Sequence, residues 1–90
     1  SDEQLGYYVA QAREHYENKP DPAEEAQRLQ WIAEQKAAIA AAKTAGELKR
    51  IMESAIATTT KMNDTDAEQQ LREAALEKVK QAKQKEGASA

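Results

Sequence analysis

The chain has 90 residues, a formal net charge of −3 and a hydrophobic fraction of 40%. Nineteen of those hydrophobic residues are alanines, and phenylalanine and cysteine do not occur. A chain this short forms one domain, and its core is thin. Without cysteine there is no disulfide framework, thiolate metal site or cysteine nucleophile. No apolar run approaches the roughly 18 residues that are needed to cross a bilayer.

The amino-acid composition favours helices over strands. Ala, Gln, Glu, Lys and Leu dominate the chain, and these residues lose little side-chain freedom in a helix. β-branched residues are few, and their one run is Thr58, Thr59 and Thr60, which is too little for a sheet. The sequence therefore predicts an all-α fold, a small helical bundle of three to four helices, with residues 1–90 as a single helical domain.

Four matches to the capping-box pattern, Ser, Thr or Asp followed three residues later by Glu or Gln, predict where helices begin. The pairs are Ser1 with Gln4, Asp21 with Glu24, Thr44 with Glu47, and Thr65 with Glu68. Pro22 supports the second start, because proline fits the first helical position. The predicted helices span about residues 2–18, 22–43, 45–61 and 66–84, and residues 85–90 are predicted to form a frayed tail. The join at Thr44 is either a sharp corner or a continuation.

Each predicted helix carries apolar residues at spacings of three and four. The first stripe holds Leu5, Tyr8, Val9, Ala12 and Tyr16, and the second holds Ala26, Leu29, Ile32, Ala33, Ile39 and Ala40. The third holds Leu48, Ile51, Met52, Ala55, Ile56 and Thr59, and the fourth holds Leu71, Ala74, Ala75, Val79 and Ala82, with Leu76 at its border. Short connections predict antiparallel neighbours. The first predicted helix is either the fourth member or a packed arm.

Side chains that carry catalysis are few and scattered. His15 is the only histidine, and a metal site or a general base needs further converging partners. Gly6, Gly46 and Gly87 are isolated, so no phosphate-binding loop is present. We expect a protein that is not an enzyme and that uses no metal or cofactor, with the cytoplasm as its default compartment.

Two aromatic residues lie off the predicted stripes. Trp31 is placed about 160–200° from the stripe of the second predicted helix, on the side of Ala38 and Ala42, and Tyr7 is similarly displaced on the first. One interpretation is that Trp31 and Tyr7 close a second small layer of the core. The other is an exposed apolar patch of Tyr7, Trp31, Ala38 and Ala42 that binds a partner protein.

Basic residues concentrate in two places, a C-terminal run and the corner between the second and third predicted helices. The run is Lys78, Lys80, Lys83 and Lys85, and the corner holds Lys43, Lys49 and Arg50. One interpretation is contact with nucleic-acid phosphates. The simpler one is a solvated helix end that complements the helix dipole, because no aromatic side chain lies nearby to stack on bases.

The stretch from Ile39 to Ile51 resembles a helical corner common near the C-termini of phage and prophage recombination proteins. There an Ile-x-x-Ala-x-Thr-x-x-Glu-Leu-x-x-Ile pattern joins two helices, and a lysine-rich helix follows; here it spans Ile39 to Ile51. The resemblance covers about residues 25–85 and has no counterpart for the first predicted helix. It implies a small helical module attached to, or acting on, DNA-processing machinery, and it carries over no catalytic residue.

The leading hypothesis is a protein-interaction module of phage or bacterial origin that binds another protein. The alternative is a nucleic-acid-binding helical domain that uses the basic residues above. No membrane association is expected. A monomer is slightly favoured over a homodimer, because the first predicted helix can cover the remaining apolar stripe and the chain is strongly charged. The sequence does not identify the partner.

Overall fold

A computed structural model of the protein describes residues 21–89. In this range the chain forms α1 (Pro22–Ala41), α2 (Ala45–Lys61) and α3 (Thr65–Ser89), and the described residues contain no strand. The all-α class that composition predicted is therefore confirmed. The first predicted helix, with Tyr7 and His15, lies outside the described residues.

Helix α1 begins at the proline signal. The Asp21 carboxylate accepts a hydrogen bond of 2.8 Å from the backbone N–H of Ala23, and Pro22 occupies the first helical position. The helix ends at Ala41, two residues before the predicted end. Ala42 has a ψ of 129°, which no helical residue adopts. The chain therefore turns a corner before Thr44, and the two helices are not continuous.

A cap at Thr44 starts α2. The Thr44 hydroxyl accepts a hydrogen bond of 3.1 Å from the backbone N–H of Glu47. The Glu47 carboxylate in turn accepts one of 2.9 Å from the backbone N–H of Lys43. This differs from a standard capping box only in that the reciprocal bond goes to the residue before the cap. The two bonds together fix the corner between α1 and α2.

The turn between α2 and α3 is a Schellman motif built on Asn63. Its φ is +54°, a left-handed conformation that asparagine tolerates better than most residues. The N–H of Asn63 donates to the carbonyl of Thr60 at 3.1 Å, and the N–H of Asp64 donates to the carbonyl of Thr59 at 2.8 Å. These bonds satisfy carbonyls that the end of α2 would otherwise leave unpaired.

The predicted cap at Thr65 is wrong by one residue. Thr65 is already the first residue of α3, and the Asp64 carboxylate accepts a hydrogen bond of 3.1 Å from the N–H of Ala67. Aspartate is as good a cap as threonine, and its negative charge also favours the start of a helix. The capping-box spacing selected Thr65, because Glu68 follows it by three residues, whereas Asp64 is followed at that spacing by Ala67.

The frayed tail that was predicted for residues 85–90 is wrong for residues 85–89, because α3 continues to Ser89. Lys85, Glu86 and Ala88 in this stretch are good helix formers. Gly87 disfavours the helix by about 1 kcal/mol but does not have the positive φ of a helix stop. A single glycine without that conformation is not enough to end the helix.

The three helices pack around a core of isoleucine, leucine and alanine. Its buried members are Ile32, Ile39, Ala55, Ala67 and Leu71, and the partly buried Trp31, Leu48, Ile51, Met52, Ala74 and Ala75 pack against them. Buried or half-buried positions recur at spacings of three and four along α1 and α3, the pattern of a left-handed bundle. Alanines in the core let the helices approach closely.

The observed core face of α1 is rotated from the predicted stripe. Ile32 and Ile39 are buried, but Leu29 is 54% exposed. Arg28 and Gln35 are half-buried instead, and a pattern based on hydrophobicity gives polar side chains no weight. The prediction that Trp31 lies opposite the core stripe is therefore wrong, since Trp31 packs against the core.

The stripes of the other two helices were predicted more closely. All six predicted stripe residues of α2 are buried or half-buried. In α3 the prediction holds for Leu71 and the two alanines after it, but it is wrong for Val79, which is 41% exposed, and for Ala82, which is also exposed. Ala67, which was missing from the predicted stripe, is fully buried. The error at Val79 arises because α3 outlasts its partners.

Candidate binding surfaces at the two ends of the bundle

The helix directions give the bundle two chemically different ends. The starts of α1 and α3 meet at one end, which we call the acidic end after Glu24, Glu25, Asp64 and Asp66. The corner between α1 and α2 meets the second half of α3 at the other end, which we call the lysine end after Lys43, Lys78, Lys83 and Lys85. Each end contains a surface depression that is described below.

A charge network centred on Arg28 ties α1 to α3 at the acidic end. Its Nε lies 2.7 Å from Asp64 Oδ2, and its Nη2 lies 3.1 Å from Asp64 Oδ1. The same Nη2 lies 2.8 Å from Asp66 Oδ2, and Nη1 lies 3.1 Å from Glu25 Oε1. The bidentate pair with Asp64 has the fork geometry that makes Arg–carboxylate contacts strong.

These contacts shift the pKa of both partners of the bidentate pair. Hydrogen bonds from Arg28 hold the pKa of Asp64 below its usual value, and partial burial opposes that effect. Hydrogen bonds to Asp64 and Asp66 raise the pKa of Arg28. Both groups are therefore charged throughout the physiological pH range, and sequence analysis did not identify either as important.

A cleft opens beside this network, between the first half of α1 and the end of α2. It has a volume of about 490 Å³ and is lined by Glu24, Glu25, Gln27, Arg28, Trp31, Thr58, Thr59, Met62 and Asp64. Trp31 is half-buried, and Met62 is 72% exposed. The cleft therefore combines an aromatic side chain, an exposed thioether and several carboxylates.

The predicted patch of Tyr7, Trp31, Ala38 and Ala42 is not one exposed surface in the described part of the chain. Ala42 is only 7% exposed, and Ala38 is half-buried. Trp31 packs against the core and lines the cleft at the acidic end, whereas Ala42 lies at the lysine end. Tyr7 lies outside the described residues.

At the lysine end a groove runs between α3 and the corner that joins α1 to α2. Its lining residues are Ala42, Lys43, Thr44, Ala45, Leu48, Lys78, Val79, Ala82, Lys83 and Glu86. An adjoining depression adds Gln81, Gln84 and Lys85 to the same surface. We call the five apolar residues of this lining the floor of the groove and its three lysines the rim.

The groove exists because α3 is the longest helix. Lys78 Nζ donates a hydrogen bond of 2.5 Å to the carbonyl of Ala40, so Lys78 is level with the end of α1. Residues 79–89 continue for about 16 Å beyond that level. Val79, at 41% exposure, therefore lacks neighbouring side chains from α1, whereas Leu76 is 70% exposed although it lies before that level. Sequence analysis missed Leu76 as a surface residue, although its place at the border of the predicted stripe was a signal.

The structure brings together part of the predicted basic set. Lys43, Lys78, Lys83 and Lys85 surround the lysine end. Lys49, Arg50 and Lys80 line neither depression there. Lys49 Nζ instead lies 4.0 Å from Glu53 Oε1 on the same exposed face of α2. At the lysine end the corner cluster therefore contributes only Lys43, whereas the C-terminal run contributes Lys78, Lys83 and Lys85.

Residues 21–89 contain neither a metal site nor a membrane span. In this range no group of three or more histidine, aspartate or glutamate side chains is arranged to hold a metal ion. None of the three described helices combines the length and the apolar character that a membrane span requires. Thr59 is the one buried polar residue among those described, and its hydroxyl donates to the carbonyl of Ile56 at 3.0 Å.

Comparisons of the chain with protein-family models, with curated proteins and with solved structures found no match. The resemblance to phage recombination proteins therefore stays a prediction.

Proposed function

We propose that this protein is a non-enzymatic interaction module that binds an amphipathic helical segment of a partner protein at the lysine end. The observation that carries the proposal is the groove there, with Leu48 and Val79 in its floor and Lys43 and Lys83 on its rim.

The apolar floor supports binding of a helix. Ala42, Ala45 and Ala82 are small, so the backbone of a bound helix can approach closely, while Leu48 and Val79 supply larger apolar contacts. A partner that covers Val79, which is 41% exposed, removes apolar area from water, at roughly 25 cal/mol per Å². A few such central contacts typically supply most of the affinity of an interface.

The rim supports a partner segment that is acidic. Lys43, Lys78 and Lys83 outnumber the single carboxylate of Glu86 along the groove. Lysine side chains lie along apolar surface while their ammonium groups stay in water, so carboxylates flanking an apolar stripe would pair with them. Such pairs mainly raise the association rate and select the partner.

The resemblance to phage recombination modules suggests which partners to test first, namely bacterial and phage DNA-processing proteins. Proteins captured from a lysate by the wild-type chain would be purified, and their affinity measured by calorimetry. We expect Val79→Gln to weaken binding about tenfold, as substitutions at interface centres do. The matched control is Leu29→Gln, which changes a leucine that is 54% exposed on α1 outside the groove. Equal affinity of the two variants would contradict the proposed site.

A second candidate function is nucleic-acid binding, favoured by the gathering of Lys43, Lys78, Lys83 and Lys85 at one end. Fluorescence anisotropy with single- and double-stranded oligonucleotides tests it at about 50 mM and about 200 mM salt. Phosphate contacts predict a steep loss of affinity with salt, further loss in Lys83→Gln, and little change in Val79→Gln. No binding at the lower salt concentration would rule this function out.

We propose further that the chain is a monomer. Trp31 packs against the core of its own bundle, which removes the main reason for a dimer built on that residue. Light scattering should show a constant mass near 10.0 kDa over a wide concentration range. Twice that mass, with blue-shifted tryptophan fluorescence, would indicate a homodimer instead.

A further inference from the structure

We infer that the cleft beside Trp31 is a second binding site, which accepts the cationic side chain of a lysine or arginine from a basic segment of a partner protein. This site lies at the acidic end, opposite the groove of the proposed function. The two inferences stand on different residues and fail independently.

The charge of the cleft favours a cation. Arg28 supplies one positive charge, while Glu24, Glu25 and Asp64 line the same cleft. Asp64 and Glu25 already pair with Arg28. Glu24 is exposed and forms no ion pair with any of the described residues. The lining therefore keeps an excess of negative charge after Arg28 is counted.

A position in the first turn of α1 accounts for an acidic residue, because a carboxylate there offsets the helix dipole. The helix dipole does not explain why Trp31 and Met62 line the same cleft. Trp31 presents an aromatic surface, and indole is the best of the natural rings for attracting a cation. Met62, which is 72% exposed, adds a flexible and polarisable wall.

Together these residues match the two parts of a long basic side chain. The aliphatic stem of a lysine can pack along Met62 and Trp31 while its ammonium group reaches the carboxylate of Glu24. An acidic side chain would meet the carboxylates of the cleft at close range. An apolar side chain would gain the contact with Trp31 but leave the charge of Glu24 unused.

Trp31 is the only tryptophan of the chain, so its fluorescence reports on the cleft. The full chain would be titrated with N-acetylated tetralysine amide and with the same peptide acetylated on every Nε. We expect a saturable fluorescence change with the charged peptide alone. Glu24→Gln should weaken that response about two- to fivefold, the scale of one exposed charge pair, and Met62→Ala should weaken it without altering charge.

Glu34→Gln is the matched control, because Glu34 is exposed on the same helix but outside the cleft. Val79→Gln should also leave the response unchanged, which separates this site from the groove at the lysine end. Thermal unfolding followed by circular dichroism checks that all variants fold.

The inference is overturned by no saturable response to tetralysine, by an equal response to the acetylated peptide, or by equal weakening in Glu24→Gln and Glu34→Gln. Self-association that Glu24→Gln abolishes would show that the occupant is a second copy of the chain, which also overturns it.

Discussion

The two ends of the bundle are held by different interactions. At the acidic end Arg28 bridges α1 to α3 through two hydrogen bonds to Asp64 and one to Asp66. At the lysine end the cross-helix bond is that of Lys78 to the carbonyl of Ala40. The strongest polar contacts between helices are therefore concentrated at the acidic end, while exposed apolar side chains occur at both ends, with Met62 at the acidic end and Val79 at the lysine end.

Helix length explains the difference. α1 has 20 residues, α2 has 17 and α3 has 25. All three begin or end near the acidic end, where the α2–α3 turn is tight and each helix has a neighbour. In addition, α3 begins level with Arg28, the seventh residue of α1, so that its residues after Lys78 extend past the end of α1 at the lysine end. The apolar residues there are available to a partner.

The largest expected effect on stability comes from a substitution in the core, which supports both ends of the bundle. Leu71 is fully buried in the middle of the core, and Leu71→Ala should destabilise the protein by about 3 kcal/mol through lost burial and a cavity. Leu76→Ala, on the same helix but 70% exposed, should change stability by less than about 0.5 kcal/mol. Urea unfolding measures both, and similar losses would mean that Leu71 does not define the core.

The next effect separates the two roles of Asp64. Asp64→Ala removes both the cap of α3 and the pair with Arg28, and should reduce the free energy of unfolding by about 2 kcal/mol. Asp64→Asn keeps a capping oxygen, so a loss of about 1 kcal/mol is expected. Chemical denaturation compares the two variants, and equal losses would show that only one of the roles matters.

The pH dependence of stability tests how much the pair of Arg28 with Asp64 stabilises the acidic end. The pKa of Asp64 in the folded protein lies below its ordinary value of 3.8, so its stabilising effect is complete above that value. It is lost as the pH falls through the lowered pKa, because protonation then breaks the pair with Arg28. Between about pH 7 and about pH 2, the wild type should lose more stability than Asp64→Asn in urea titrations. Parallel curves for the two proteins would contradict this assignment.

The smallest effect concerns the lysine end. The last turn of α1 contains no basic residue, and Lys78 supplies a positive charge to that helix end from α3. Lys78→Gln should reduce stability by about 0.5 kcal/mol, a typical value for a cation at a helix end. Lys80→Gln, an exposed neighbour of the same charge, is the control. A loss as large as that of Asp64→Ala would show that the two ends are held equally strongly.

Local signals predicted a helix start correctly where the sequence offers one clear capping signal. Pro22 admits only a helix start, and Thr44 with Glu47 forms a cap that needs no tertiary contact. The stripe of α2 was also predicted, because its apolar residues are large and closely spaced. Prediction failed at Thr65, because Asp64 caps α3 without the Glu or Gln of a capping box. It also failed at Gly87, because a glycine can either end a helix or continue it.

The candidate sites were predicted less well, because they depend on distant residues. Arg28 and Asp64 are 36 residues apart, and nothing in either local pattern indicates their contact. Lys43 lies beside Lys83 only because α3 runs past the corner between α1 and α2. Trp31 was predicted on the wrong face of α1, because three of the six residues in the predicted stripe were alanines. Alanine fits a core or a surface equally well, so these residues did not define the core face.

The sequence by itself determined the helical class and the helix starts, because propensity and capping act within one turn of the chain. The tertiary structure alone decided the rotation of α1 about its axis, the pairing of Arg28 with Asp64, and the surplus length of α3 at one end. These features depend on which helix faces lie together, and an alanine-rich chain offers several faces of similar hydrophobicity. Packing among three helices selected one of them, and that choice left an acidic cleft at one end of the bundle and a lysine-rimmed groove at the other.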